Sequence, residues 1–247
     1  MDQWRKPSNR RVDLWWLSLE GVSDDSSRRW AALLDDDERA RAVRFVHDRD
    51  RRPFVAAHAL LRVLLQAFGG RPAAAWRLAA GRHGKPVLHP DHGQDAASLS
   101  FNISHTRGAV ACATTLDHPV GVDVEALERP GDLMEIARSY FAPAELATLR
   151  ATAPADRRAT FLRLWTLKEA YLKARGDGLS LPLDRFAFSL SPPRVTFEPG
   201  FGDRAGDWQF HSLSAGTAHV LSLAVRHGAD EPLAVQEHRL SPADLDG

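Results

Sequence analysis

Residues 120–125 read Val-Gly-Val-Asp-Val-Glu, a strict period of two that leaves little choice of local structure. Successive side chains of a strand leave on opposite faces, so the alternation predicts valines toward a core and Asp123 and Glu125 together on the other face, roughly 6–7 Å apart. Two like charges at that spacing repel by about 2–3 kcal/mol at an effective dielectric near 20. A divalent cation between them would reverse the sign. Oxygen-only ligands suit Mg²⁺, which keeps waters and shares substrate phosphates. A solvated acidic strand end would carry the same residues.

Residues 157–174 read as a helix in which Trp165, Lys168, Glu169, Leu172 and Lys173 are neighbours at spacings of three and four. Glu169 and Lys173 share a face. They form either an i,i+4 salt bridge worth a few tenths of a kcal/mol, or the third carboxylate of a cation site with a lysine placed to meet a phosphate. Two shorter segments carry chemistry of the same kind. Gly84-Lys85-Pro86 is a turn whose glycine permits close backbone approach, and Ser104, His105 and Thr106 follow a strand start as donors suited to phosphate oxygens. Each is open to a plainer reading, an ordinary turn for the first and an Asx or Ser turn with a packed histidine for the second.

Composition removes other classes. The 247 residues hold 32 basic and 32 acidic side chains, so the whole-molecule positive field of a nonspecific nucleic-acid binder is missing. The lone Cys112 excludes an intramolecular disulfide and a cysteine-cluster metal site. It fits a reducing, cytoplasmic compartment and reads as a buried strand residue without catalytic role. The start lacks the apolar core of a signal peptide, and the most apolar stretch, 55–68, carries His58, Arg62 and Gln66 and is too short for a bilayer. No membrane association is expected. A nucleophile elbow, a phosphate loop, a dinucleotide glycine fingerprint and a zincin helix are all missing. Only four of the basic residues are lysine, and Lys85, Lys168 and Lys173 of these lie in the segments singled out above.

Strands are expected at 11–19, 76–78, 99–103, 109–115 and 120–125, with 116–119 joining the last two as a hairpin. Helices are expected at 23–32, over 35–68 with a kink or split at Pro53, and at 133–139, 143–150 and 157–174. Short strands follow at 186–190, 195–197, 208–212 and 219–225. Helices and antiparallel strands in both halves indicate an α+β protein rather than a doubly wound sheet. His83, His89 and His92 crowd one loop and read as solvent-facing composition.

Taken in order, Gly84-Lys85-Pro86, Asn102-Ile103-Ser104-His105, Gly121-Val122-Asp123-Val124-Glu125 and Trp165-Thr166-Leu167-Lys168-Glu169-Ala170-Tyr171-Leu172-Lys173 resemble the 4′-phosphopantetheinyl transferases, in particular their long, monomeric Sfp-like branch. Gly178-Leu179-Ser180-Leu181-Pro182-Leu183 is similar to the family as well, and the likeness spans about residues 35–225. It implies a pseudo-dimer of two similar α+β halves, residues 1–119 binding the nucleotide end of coenzyme A and residues 120–247 carrying the metal-binding carboxylates. It implies transfer of the phosphopantetheine arm of coenzyme A to a serine of an apo acyl or peptidyl carrier protein, leaving adenosine 3′,5′-bisphosphate. By motif matching, Asp123, Glu125 and Glu169 would hold Mg²⁺, Glu169 would also take the serine proton, and Lys173 would contact the pyrophosphate, with Lys168 as a further neighbour. Lys85 and Pro86 would line the adenine end, Ser104 and His105 the 3′-phosphate or pyrophosphate. Among Arg39, Arg41, Arg44, Arg49, Arg51 and Arg52, Arg41 is the preferred cation for the 3′-phosphate; a solvated helix face is the plainer reading of that cluster, and Pro53 departs from the basic residue relatives often carry. The carrier would dock near 139–149.

Two other functions compete. A relative that holds coenzyme A without turnover would be expected to lose some of Asp123, Glu125, Glu169 and Lys173, and all four are present. A hydrolase splitting the pyrophosphate with water would release the bisphosphate with no carrier present.

Overall fold

The computed structural model describes residue 4 and residues 6–81, 84–129, 131–176, 178, 181–228 and 231–246, without the side chains of 94 and 95. His83, Leu179 and Ser180 lie outside them.

The chain opens with β1 (Arg11–Ser18), whose alternation sends Val12, Leu14 and Trp16 to one side and Trp15 and Leu17 to the other. Three helices follow. Ser23 caps α1 (Asp24–Leu33) by accepting from the Ser26 N–H, and Asp35 with Glu38 forms a capping box on α2 (Asp36–Val43). The long α3 (Asp48–Gly69) stops at Gly70, left-handed at φ 66°. A hairpin of β2 (Leu78–Ala80) and β3 (Pro86–Leu88) and the short α4 (Gln94–Ala97) lead to two long strands, β4 (Leu99–Thr106) and β5 (Ala109–Leu116).

The same order then repeats. A strand, β6 (Val120–Ala126), precedes α5 (Leu133–Tyr140), α6 (Pro143–Ala151) and the long α7 (Arg157–Arg175). A hairpin of β7 (Phe186–Leu190) and β8 (Pro193–Phe197) follows, then β9 (Trp208–Ala215) and β10 (His219–Arg226). Strand order repeats too, β1-β5-β4 in one sheet and β6-β10-β9 in the other. The fold is α+β, built as a pseudo-dimer. The two sheets pack face to face through Val12, Leu14, Trp16, Ala111 and Ala113 against Val120, Val122, Val124, Leu221 and Leu223, and each keeps its own core on the helix side.

Three expectations change. β5 and β6 do not form a hairpin, because β5 is the central strand of its sheet with both edges taken by β1 and β4; the chain turns at Asp117 (φ 62°) and enters the second sheet. Pro53 does not break the helix, which is split instead at 44–47. Pro53 lies five residues into α3, where the one bond it forfeits is to the exposed Arg49 carbonyl. The last strand, β11 (Ala234–Leu240), was not expected. It pairs parallel with β1, and α8 (Pro242–Leu245) places Leu245 in the first core, so the end of the chain is built into the first half.

Candidate active site

The site begins with a missing side chain. Gly121 lies where α7 crosses β6, and a Cβ there would overlap the Ala170 carbonyl oxygen and the Ala174 amide. This close crossing brings Glu169 and Lys173 of α7 onto the strand face that carries Asp123 and Glu125, while Val120, Val122 and Val124 enter the inter-sheet core as the alternation predicted. Lys173 Nζ donates to Asp123 Oδ1 (2.6 Å) and Ser104 Oγ (3.0 Å), and Ser104 Oγ donates to Asp123 Oδ1 (2.9 Å).

The remaining acidic groups stand under strain from one another. Asp123 is buried and its Oδ2 has no hydrogen-bond partner. Glu125 Oε1 accepts from Arg129, whose guanidinium lies 5.0 Å from the Trp165 ring, and Oε2 accepts from Thr106 Oγ1 (3.3 Å). Burial, with the Asp123 charge beside it, raises the pKa of Glu125. Glu169 makes no hydrogen bond among the described residues. Its pKa is pushed up to about 6, first by burial and then by Asp123, with Lys173 opposing. An orphaned buried oxygen and a set of hard oxygen donors suit a divalent cation. Among the described residues no three acidic, histidine or cysteine side chains form a ready group for a metal. Lys173 holds Asp123, and Arg129 holds Glu125.

β6 pairs with β10 alone, and its other edge is closed by side chains. The Val120 carbonyl accepts from Lys85 Nζ (2.9 Å), the Val122 N–H donates to Asn102 Oδ1 (2.8 Å), the Val122 carbonyl accepts from Lys173 Nζ (3.1 Å), and the Val124 N–H donates to Ser104 Oγ (3.3 Å). Ladder bonds left open at an edge must be met in this way when the edge is buried. The motif segments of the two halves are thereby fastened to one strand. Asn102 was missed as a site residue, although its position two before Ser104 on the same strand places it on the same face. A cleft of about 250 Å³ runs between the halves, lined by Lys85, Pro86, Asn102, Ile103, Glu169 and Lys173.

Lys168 does not reach the cleft. It is fully buried on the opposite side of α7, paired with the equally buried Glu145 (2.8 Å) and donating to the carbonyls of Leu183 (2.6 Å) and Phe186 (2.7 Å). One step along a helix rotates about 100°, enough to separate it from Glu169. Glu145 also accepts from the Phe188 and Ala142 N–H groups, so the pair locks α6, α7 and β7 together. In the first half, the exposed His105 meets the edge of Phe54 (6.2 Å), and the Arg41 guanidinium lies 5.1 Å from the same ring. Arg39, Arg51 and Arg52 pair with Asp36, Asp48 and Asp24, whereas Arg41 has no ion pair among the described residues. Cys112 is buried in the core strand, as read. No helix among the described residues is long and apolar enough to cross a membrane.

Two α+β halves share one cleft lined by Lys85, Glu169 and Lys173, and comparison with known proteins gives the class. Residues 119–224 match the model of the 4′-phosphopantetheinyl transferase superfamily, and residues 23–117 match that of the 4′-phosphopantetheinyl transferase N-terminal region. The chain is 33% identical to 4′-phosphopantetheinyl transferase HetI of Nostoc sp. (strain PCC 7120), over 87% of each chain. To 4′-phosphopantetheinyl transferase Sfp of Bacillus subtilis (strain 168) it is 30% identical, over 68% of this chain and 72% of that one. Among solved structures, the holo-[acyl-carrier-protein] synthase of Thermotoga maritima is similar at a TM-score of 0.38 and 23% identity, over 44% of this chain and 63% of that one. The chain belongs to the 4′-phosphopantetheinyl transferase superfamily and is an enzyme of that class, of the Sfp-like type.

Proposed function

We propose that this enzyme transfers the 4′-phosphopantetheine arm of coenzyme A to a serine of an apo acyl or peptidyl carrier protein and releases adenosine 3′,5′-bisphosphate. The observation that carries the reading is the meeting of Asp123 and Ser104 with Lys173, which together with Glu169 lines a cleft also lined by Lys85 and Pro86. The serine oxygen attacks the β-phosphorus, the bond from that phosphorus to the bridging oxygen breaks, and the electron pair leaves on the α-phosphate of the bisphosphate. Such transfer needs positioning and charge stabilisation above all.

Glu169, with a pKa near 6, is half-ionised at mildly acid pH and is the base that takes the serine proton, directly or through water. Lys173 donates to the pyrophosphate and stabilises the departing oxygen. Lys85 and Pro86 line the adenine end through the turn they form, and Arg41, Ser104 and His105 supply donors for the phosphates. Asp123, Glu125 and Glu169 would hold Mg²⁺, which when bound neutralises the pyrophosphate charge. Asp123 keeps Oδ2 open toward such an ion although Lys173 and Ser104 hold Oδ1, whereas Arg129 and Thr106 take the two oxygens of Glu125. Both walls of the cleft come from one chain, which supports action as a monomer. The half-exposed Tyr140, set edge-on to Trp165 (6.4 Å), the ring that Arg129 also meets, supports carrier docking near 139–149.

The test is release of adenosine 3′,5′-bisphosphate from coenzyme A with Mg²⁺, followed with and without an apo carrier. Release that requires the carrier and matches its modification supports transfer; release at the same rate without a carrier makes the enzyme a pyrophosphate hydrolase.

A further inference from the structure

Lys85 belongs to the first half, yet its ammonium is spent on the second. Nζ donates to the Val120 carbonyl (2.9 Å) and to the Lys173 carbonyl (2.7 Å). An ammonium has three donors and no acceptor, so two of the three are used on main-chain oxygens of two different elements. The carbonyl of Lys173 lies in the last turn of α7, where oxygens lack a helical partner and the helix end carries partial negative charge, a natural seat for a cation. The Val120 carbonyl is on the strand edge that has no neighbouring strand. Lys85 itself is held by its own turn, where its carbonyl accepts from the Gly81 N–H (2.8 Å) and Gly84 takes a left-handed conformation (φ 79°).

The two anchored oxygens flank the Asp123–Lys173 pair. Val120 precedes Asp123 by three residues on the strand, and the Lys173 carbonyl belongs to the residue whose side chain meets Asp123 Oδ1. Resting on the function proposed above, we propose that Lys85 is a positioning residue, whose ammonium fixes the start of β6 against the end of α7 and so sets the Asp123–Lys173 pair beside the cleft. Asn102, bound to the Val122 N–H between them, serves the same strand. Burial, together with the nearby Lys173 charge, brings the Lys85 pKa down to about 8, in keeping with an ammonium enclosed by protein rather than extended into water. An arginine could not do this work, because its planar fork spreads its donors instead of converging one nitrogen on two oxygens.

The test is Lys85→Met, which keeps most of the apolar stem and removes the donors, with Lys85→Arg as a second variant that keeps the charge. Hydrogen exchange of segments 118–126 and 169–176 is measured on the protein alone, the dissociation constant of coenzyme A by calorimetry, and transfer by kcat. Lys85→Met is expected to speed exchange in both segments by about tenfold or more and to lower kcat by a similar factor, with coenzyme A affinity changed by less than about threefold. Lys85→Arg should show the same pattern more weakly, and it decides the matter if the methionine variant does not fold. Unchanged exchange, or a loss confined to coenzyme A affinity with kcat retained, overturns the proposal and assigns the Lys85 ammonium, and not only the backbone of its turn, to the nucleotide. The exchange measurement needs no substrate, so it judges Lys85 even if the wild-type protein modifies no carrier.

Discussion

Lys173 Nζ stands 2.6 Å from Asp123 Oδ1, while the second oxygen of that carboxylate is buried with no hydrogen-bond partner. Lysine is thus the internal counter-ion of a carboxylate with one oxygen still open. Lys173→Met should leave Asp123 buried and uncompensated and destabilise the protein by about 1–3 kcal/mol in urea unfolding. Mg²⁺ should then restore more stability to the variant than it adds to the wild type. Equal effects of Mg²⁺ on both would separate Asp123 from any cation site.

Gly121→Ala forces a methyl group into the Ala170 carbonyl and the Ala174 backbone. Both obstacles are main chain, so α7 must move away from β6. A loss of about 2–4 kcal/mol is expected, at or above the usual range for overpacking, together with loss of activity beyond what the stability change explains. A variant with wild-type melting temperature would show that the helix does not cross the strand so closely.

Glu169 has a folded-state pKa of about 6 against an ordinary 4.5. The raised value means that the folded protein holds the proton longer than the unfolded chain does, so stability falls as pH rises from 4.5 through 6. Glu169→Gln should therefore be more stable than wild type at pH 8, by about 1–2 kcal/mol, and nearly equal to it at pH 4. Transfer should fall by about 10²–10⁴ in this variant, and in the wild type it should rise with pH through the region near 6. Thermal unfolding at the two pH values checks the first point and a pH–rate profile the second.

Lys168 and Glu145 are an ion pair with no exposure on either side. Removing one partner leaves a buried charge, so Lys168→Met should cost about 3–5 kcal/mol, and adding Glu145→Gln should recover part of it. Coenzyme A affinity of the variant that remains folded should be unchanged. A selective loss of affinity would return Lys168 to the cleft.

The period-two run at 120–125 was legible because strand alternation is set by backbone geometry alone, and it correctly put Asp123 and Glu125 opposite the valines. The mixed α+β character of both halves was legible from element order, while their likeness to one another came from the family resemblance. What the residues could not report was partner choice. β5 and β6 looked like a hairpin since they adjoin in sequence, but β1 had already taken the edge β6 would need. Lys168 looked like a site residue because it is next to Glu169, and only the packing of α6, carrying Glu145, tells the two faces of α7 apart. Likewise β11 gives a weak local signal, since most of its residues stay exposed or half-buried and its stability comes from pairing with β1 more than 200 positions away.

The central claim is that Asp123, Glu169 and Lys173 act together in moving the phosphopantetheine arm. Intact-mass spectrometry of apo carrier proteins of fatty-acid, polyketide and peptide type, incubated with coenzyme A and Mg²⁺, tests it most directly with wild type beside Asp123→Asn. The expected result is the mass of the arm on at least one carrier with wild type and its loss with a variant that is folded. An unmodified set of carriers with wild type, or full modification by Asp123→Asn, would contradict it.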